Sequence, residues 1–95
     1  MVYIRRLIWD TWNVGHVARH QVTPDEVEEV CHGPYIDGEA NKGRLILIGP
    51  TSTGRMLAAI LDPEPEPGVY YPVSARPASR KERRQYQEAK VGEQE

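Results

Sequence analysis

Phenylalanine is absent from the 95 residues of this chain, and cysteine occurs once, as Cys31. A lone cysteine excludes a framework of internal disulfides. No apolar run approaches the roughly 18 to 20 residues of a membrane-spanning helix. The first ten residues mix apolar and basic side chains and lack the continuous apolar segment of a signal peptide. These absences predict a cytoplasmic protein.

The hydrophobic content is ordinary for a globular protein, but aromatic rings are few. Hydrophobic residues make up 39% of the chain and charged residues 27%, which fits one small domain. Without phenylalanine, the two tryptophans, five tyrosines and the aliphatic side chains must fill the core. We therefore expect a modest core, which leaves room for a partner or a second copy of the chain (a homodimer) to add buried surface.

The first third of the chain is predicted to form one strand and two helices. Residues 2–9 are rich in β-branched and aromatic side chains, which favours a strand. Asp10 stands at an N-cap position before a helix over residues 11–20, although Gly15 weakens that helix by about 1 kcal/mol relative to alanine. VTPDEVEEV gives a clearer signal, because it combines a capping box with proline at the first helical position.

Four extended runs and a last helix follow. YIDGEA, RLILIGP, MLAAILD and VYYPVSA are separated by glycine-containing turns, as in an antiparallel meander. The two middle runs are almost continuously apolar, which is typical of central strands covered on both faces. Pro72 indicates an edge strand or a bulge, and DPEPEPG is expected to be a stiff, exposed connector. Ser79 and Glu82 form a second capping box before a helix with few apolar side chains.

These elements define the predicted fold class. We expect a small single α+β domain over residues 1–88, in the order β-α-α-β-β-β-β-α, with a mainly antiparallel sheet packed by helices. The chain has no internal repeat. Residues 89–95 are predicted to be a polar, frayed tail.

Several chemical motifs are too incomplete to assign a site. GPTSTGRM approaches the phosphate-binding pattern G-x4-G-K-[ST], but arginine and methionine replace the lysine and the hydroxyl, and the stretch joins two strands. A hairpin turn explains it. His16 and His20 stand four residues apart without the glutamate of H-E-x-x-H, and the adjacent Cys31 and His32 point apart in most backbones. The sequence therefore predicts no metal site.

Positive charge is concentrated near one end of a chain whose net charge is −2. Between Arg76 and Lys90 there are six Lys or Arg residues and two Glu residues. A pI near 5.9 argues against indiscriminate coating of nucleic acid but allows a local phosphate site. Arginine can hold phosphate bidentately, and the start of the last helix adds backbone N–H donors. The predicted substrate-binding residues are Ser79, Arg80 and Arg84.

The same arginines also have a simpler explanation. They can be solvated surface charges, or they can pair with Glu26, Glu28 and Glu29 on the second helix. Charge and spacing alone leave both interpretations open.

Three stretches of the sequence carry motifs of one protein family, in the family's order. WDTWNVGHVARHQVTPDEVEEV has a W-D before a helix ending at a K-H-G-V position, and GRLILIGPTSTGRMLAAI contains R-x-x-x-x-G and G-R-x-L. VSARPASRKERRQY is similar to I-S-A-R-x-A-x-x-x-E-R-x-x-Y, the most specific match. Over about residues 8–87 the chain resembles the BrnT-type ribonuclease toxins. Gln21 replaces the family's glycine after the histidine, so we expect a different turn there or a non-glycine residue in the left-handed region.

The resemblance implies a RelE-like fold and a metal-independent endoribonuclease with no cofactor. It also implies a partner, a small DNA-binding antitoxin of the ribbon-helix-helix class (BrnA-like) that covers the active site. Guanidinium groups would stabilise the charge that develops on the phosphoryl oxygens, and His20, Tyr86 or Glu82 would move the protons. Carried over by position, the implied residues are His20, Arg44, Arg55, Ser74, Arg76, Glu82, Arg83 and Tyr86.

Two functions are therefore predicted. The first is an RNA-cleaving toxin of a type II toxin–antitoxin pair, whose arginines bind the RNA phosphate and stabilise the transition state of cleavage. The alternative is a non-catalytic, stand-alone interaction module that binds nucleic acid or an acidic protein through its basic last helix.

Overall fold

A computed structural model describes the backbone of residues 2–94 and the side chains of residues 2–91. It contains three helices and five strands within that range. The strands are β1 Arg6–Leu7, β2 Ile36–Glu39, β3 Leu45–Pro50, β4 Met56–Pro63 and β5 Val69–Pro77, and the helices are α1 Thr11–Ala18, α2 Pro24–Cys31 and α3 Arg80–Gln94, with a 3₁₀ turn at Asn41–Gly43.

The five strands form one sheet in the order β1-β5-β4-β3-β2. Strands β2 to β5 are antiparallel neighbours, and β1 alone is parallel to its partner, pairing with Val69 and Tyr70 of β5. The prediction of a strand over residues 2–9 is wrong in length, because the observed strand is shorter. Only two residues pair, because the chain leaves the sheet edge immediately to start α1 at its N-cap, Asp10.

The two capping boxes predicted from the sequence are present. Thr23 accepts a hydrogen bond from the Glu26 backbone, and the Glu26 carboxylate accepts one from the Thr23 backbone at 3.0 Å. Ser79 and Glu82 exchange the same two bonds at the start of α3. Each box satisfies backbone N–H groups that the first turn of a helix would otherwise leave unpaired.

One face of the sheet packs against α1 and α2 and forms the main core. Every fully buried aliphatic side chain on this face stabilises the fold by about 1.5 to 3 kcal/mol relative to solvent exposure. The buried members of this cluster are Leu7, Val17, Val22, Val27, Val30, Cys31, Leu47, Leu57, Ala59, Leu61 and Ala75.

The opposite face of the sheet carries α3 and a smaller cluster. Successive strand residues alternate between faces, so Leu47 lies in the main core while Ile48 points to α3. Ile48, Ala58 and Ala78 are buried there, and Tyr86 packs against them. Both faces of β3 and β4 are covered, which confirms that their nearly continuous apolar runs indicate central strands. We call this second side of the sheet the α3 face.

The structure decides between alternatives that the sequence allowed at Pro72 and at Gln21. Ile60 pairs with Ser74 and Leu61 pairs with Pro72, so β5 has a bulge between them. The bulge explanation of Pro72 is therefore correct. Strand β1 pairs with β5 only at Val69 and Tyr70, so within the described residues no strand pairs with Pro72 on that side of β5. Gln21 has φ of 60°, so this turn does place a non-glycine residue in the left-handed region.

The prediction of a small α+β domain with a mostly antiparallel sheet is confirmed. Helix α3 runs to Gln94 through most of the segment predicted to be a polar tail, and Glu95 lies outside the described residues. None of the helices in residues 2–94 combines the length and the apolar content that a membrane crossing requires.

Candidate functional site

Arg76 near the end of β5 forms a bidentate ion pair with Glu82 in the first turn of α3. Its Nη1 donates to Glu82 Oε1 at 2.7 Å and its Nη2 donates to Oε2 at 2.8 Å. Arg76 pairs with Ala58 in the sheet register, which directs its side chain to the α3 face. Two parallel N–H···O bonds fix the plane of the guanidinium as well as its position.

Glu82 joins this pair to the capping box of α3. Its Oε1 also accepts a hydrogen bond from the Ser79 backbone at 2.8 Å. The hydrogen bond from Arg76, together with the Ser79 bonds, lowers the pKa of Glu82 to about 2 against the cost of partial burial. Glu82 is therefore an ionised carboxylate at neutral pH, and it serves better to orient Arg76 than to accept a proton.

Three arginines of α3 line a cleft on the α3 face, and neither Arg76 nor Glu82 is among its lining residues. Arg80, Arg83 and Arg84 surround it together with Met56, Tyr86 and Gln87, and its volume is about 330 Å³. All three are exposed, and within residues 2–91 none of them forms a salt bridge. The Arg83 Nη1 donates to the Ala78 carbonyl at 3.1 Å, which holds this side chain over the start of the helix. We call this the arginine cleft.

The arginine cleft has the charge and shape of an anion site. Three guanidinium groups that form no salt bridge with a described carboxylate leave a local positive potential on a chain that is acidic overall. The cleft lies against the first two turns of α3, where the helix dipole also favours an anion.

Tyr86 anchors α3 to the sheet. Its hydroxyl donates to the Pro34 carbonyl at 2.7 Å, and its ring packs against the buried side chains of the α3 face. The hydroxyl proton is therefore engaged on the side of α3 that meets the β2 region. This contact gives Tyr86 a positioning role at one wall of the arginine cleft.

Arg55 and His20 lie on the other side of the sheet from the arginine cleft. Arg55 Nη1 donates to both carboxylate oxygens of Glu26, at 3.1 and 3.0 Å, and to the Gln21 carbonyl at 2.8 Å. Its Nη2 lies 3.5 Å from the His20 carbonyl. Arg55 thus ties the turn between α1 and α2 to the start of β4, and the structure does not bring it together with Arg76.

Arg44 is also separate from the arginine cleft. Arg76 pairs with Ala58 and Ala58 with Ile48, whereas Arg44 lies four residues before Ile48. Strand geometry places the Cα atoms of Arg44 and Arg76 roughly 16 Å apart. The Arg44 Nε lies 3.9 Å from Asp62 Oδ1 and is a buried atom with no hydrogen bond within the described residues.

The second helix uses its glutamates in three different ways. Among the described residues, Glu26 alone of the three takes an arginine. Glu28 accepts a hydrogen bond from the Trp9 indole at 3.0 Å, and Glu29 accepts from the Ser52 backbone and hydroxyl. Pairing with a glutamate of α2 thus holds for Arg55 and not for the three arginines in the cleft, which are exposed and fit the explanation of solvated surface charges as well as that of an anion site.

Met56 and Gln87 line the cleft, and sequence analysis missed both. Met56 could have been found from strand alternation, because it shares the α3 face with Ala58 on β4. Gln87 carries no such signal beyond its spacing of three and four residues from Arg84 and Arg83 on one helix surface.

The histidines and the cysteine do not converge. Cys31 is buried, and burial raises the pKa of its thiol to about 12. The His32 Nδ1 lies 2.8 Å from the Glu28 carbonyl. Within the described part of the chain, no three His, Cys, Asp or Glu side chains are grouped so that they could hold a metal ion.

Comparison of the chain with protein-family models, with curated proteins and with solved structures finds no match.

Proposed function

We propose that this chain is a metal-independent endoribonuclease toxin of a type II toxin–antitoxin pair, of the BrnT type that its motifs resemble. The observation that carries the proposal is the arginine cleft, whose three guanidinium groups form no salt bridge within residues 2–91, together with the Arg76–Glu82 ion pair at the start of the same helix. The proposal includes a RelE-like fold class, action in the cytoplasm, and no cofactor.

Binding of RNA is assigned to the three arginines of α3. A guanidinium group matches the geometry of a phosphate and can donate two hydrogen bonds to it. Arg80 and Arg84 lie one helical turn apart, so they can contact successive phosphates of a single strand. Arg83 is held in place through its bond to the Ala78 carbonyl and completes the wall of the cleft.

Stabilisation of the transition state is assigned to Arg76. The 2′-OH attacks the neighbouring phosphate and the bond to the 5′-oxygen breaks; water takes the 2′-OH proton and supplies one to the departing 5′-oxygen, while negative charge gathers on the phosphoryl oxygens. A guanidinium has five N–H donors. Glu82 takes two of them and the Pro77 carbonyl a third at 3.4 Å, which leaves two donors of a fixed group for a phosphoryl oxygen. The requirement for a 2′-OH would restrict the reaction to RNA.

The proposed partner is an antitoxin of the ribbon-helix-helix class. Three exposed arginines, none in a salt bridge within residues 2–91, form a surface that an acidic segment of such a protein could neutralise. An antitoxin bound there would exclude RNA from the arginine cleft.

A non-catalytic RNA-binding module is the second candidate, and the placement of the proton carriers favours it. Glu82 is a weak base because its pKa is about 2. The Tyr86 hydroxyl is engaged with Pro34, and His20 lies behind Arg55 on the other side of the sheet. The arginine cleft would then bind RNA without cleaving it.

Cleavage of a labelled single-stranded RNA in EDTA tests the proposal. The wild type should produce fragments with cyclic phosphate ends, and Arg76→Ala should abolish them while still binding RNA. Arg76→Lys keeps the charge and loses the bidentate pair, so it should retain only part of the activity. Lys42→Ala, at the exposed 3₁₀ turn, is the matched control and should cleave at the wild-type rate.

Each outcome distinguishes between the ribonuclease and the non-catalytic module or tests the role of Arg76. Binding without cleavage by the wild type would support the non-catalytic module. Cleavage that persists in Arg76→Ala would remove Arg76 from the site. A thermal unfolding curve of each variant shows whether a loss of cleavage reflects a loss of fold.

A further inference from the structure

A second cluster lies where α1 begins, next to β5, and combines the exposed Trp12 with the half-buried His16 and Tyr71. The Trp12 side chain is 56% exposed. Its indole stacks on the His16 ring, with centroids 4.8 Å apart and planes 8° apart, and Tyr71 lies beside it at 6.5 Å between centroids. The His16 stack fixes the orientation of an indole that still presents more than half of its surface to solvent. The arginine cleft does not use any of these rings.

Two carboxylates lie near Tyr71, one of the rings of this cluster. The Tyr71 hydroxyl donates to both oxygens of Asp10 at 2.9 Å. Partial burial, the Asp10 hydrogen bond and the charges of Asp10 and Glu64 raise the pKa of Tyr71. We call Asp10, Trp12, His16, Glu64 and Tyr71 the aromatic–acidic patch.

The two carboxylates of the patch differ from their neighbours on β4 and the following connector. Asp62 faces Arg44, and Glu66 pairs with Arg5. Within residues 2–91, Asp10 and Glu64 form no salt bridge with a lysine or arginine. Their negative charge therefore acts on whatever approaches Trp12.

This combination favours a cation over the other possible occupants. A phosphate strand would be repelled by the two carboxylates, and an apolar surface would remove them from water without a partner. A guanidinium group fits both the exposed indole and the carboxylates, since it stacks on an indole and pairs with a carboxylate. A lysine ammonium would pair with the carboxylates but would lack the planar stack.

We propose that the aromatic–acidic patch binds an arginine-bearing segment of a partner protein, with the guanidinium stacked on Trp12 and paired with Asp10 or Glu64. This surface is separate from the arginine cleft and takes a ligand of the opposite charge. Its occupation does not depend on whether the chain cleaves RNA.

A titration of the ¹⁵N-labelled protein with a hexa-arginine peptide tests this proposal. The chain has two indole N–H signals, and Trp9 serves as an internal control because its indole donates to Glu28. The Trp12 signal should shift and saturate while the Trp9 signal stays in place. An unmoved Trp12 signal, or equal shifts of both signals, would overturn the proposal.

Affinity measurements on variants separate this patch from general charge attraction. Trp12→Ala should weaken hexa-arginine binding about fivefold, from the loss of the cation–π contact. Glu64→Gln should weaken it measurably, and Asp25→Asn, which removes one charge from α2, should leave it unchanged. Unchanged affinity in Trp12→Ala, or an equal loss in Asp25→Asn and Glu64→Gln, would contradict the proposal. RNA cleavage by Trp12→Ala should equal that of the wild type.

Discussion

The capping boxes of α2 and α3 each hold an arginine, and the two Arg–Glu pairs differ in what surrounds them. Glu26 at the third position of α2 pairs with Arg55, and Glu82 at the same position of α3 pairs with Arg76. Arg55 also bonds the Gln21 carbonyl, so it fastens one loop to the sheet. Arg76 instead fixes the start of α3, the helix whose three cleft arginines form no salt bridge within residues 2–91.

The role of an Arg–Glu pair in this protein does not follow from the geometry of the pair alone. Both pairs engage both oxygens of a carboxylate, and both lie at the start of a helix. The helices differ more, because α2 buries three side chains in the main core while α3 is polar on most of its surface. We infer that the α1–α2 side provides stability and the α3 face provides binding.

The largest expected effect is on the free energy of unfolding, and it differs between two adjacent residues of β4 that point to opposite faces of the sheet. Leu57 is fully buried against α1 and α2, whereas Met56 is partly exposed at the arginine cleft. Leu57→Ala should lower the free energy of unfolding by about 3 kcal/mol and Met56→Ala by about 1 kcal/mol, because only the first leaves a closed cavity. Urea unfolding measures both. Equal losses would show that the α3 face is as much a core as the other.

Removal of each arginine should lower the free energy of unfolding by a different amount. Arg55→Ala should cost about 2 kcal/mol, because it leaves the Gln21 and His20 carbonyls without this donor, although Glu26 keeps its capping bonds with Thr23. Arg76→Ala should cost about 1 kcal/mol, since Glu82 keeps its capping bonds with Ser79. Thermal or urea unfolding of the two variants gives the order. A larger loss for Arg76→Ala would assign it a mainly structural role.

Acid should weaken both pairs. The pKa of Glu82 is lowered from its ordinary 4.5 to about 2, and backbone and Arg55 contacts also lower the pKa of Glu26. A carboxylate with a lowered folded-state pKa stabilises the fold fully above about pH 5, and this contribution is lost as the pH falls toward 2. The free energy of unfolding of Glu82→Gln should therefore change less than that of the wild type between those limits. An identical pH profile would contradict the assigned shift.

The smallest expected effect concerns the turn that Arg55 fastens. Gln21 has φ of 60°, a region that costs a non-glycine residue about 1 kcal/mol. Gln21→Gly relieves this strain but also makes the unfolded chain more flexible, so the stability should change by less than about 1 kcal/mol. The backbone carbonyl that accepts from Arg55 remains. A large destabilisation would mean that the Gln21 side chain holds the turn.

Local chemistry was predictable from the sequence, and long-range register was not. The boxes at Thr23 and Ser79 could be found because their residues stand three apart in the chain. The apolar runs of β3 and β4 indicated strands covered on both faces. The separation of Arg44 from Arg76 could not be found, because it depends on which residues pair across three strands.

The partner of Arg55 was equally hidden, for a related reason. Its ion pair with Glu26 joins residues 29 positions apart, and the sequence offered several glutamates on α2. The face on which a side chain leaves a strand decides such a pairing. Arg55 and Met56 are neighbours in the chain, yet one contacts α2 and the other lines the arginine cleft.

The salt dependence of RNA affinity tests the central claim, that the α3 face binds the RNA backbone. The measurement compares the wild type, Arg80→Ala/Arg84→Ala, and the charge-matched Arg6→Ala/Lys42→Ala. The cleft variant should bind about tenfold more weakly, and the slope of log affinity against log salt should fall by about 1.4, or 0.7 for each lost phosphate contact. The control pair should match the wild type. Equal losses in both variants would mean that RNA responds only to net charge and that the arginine cleft is not its site.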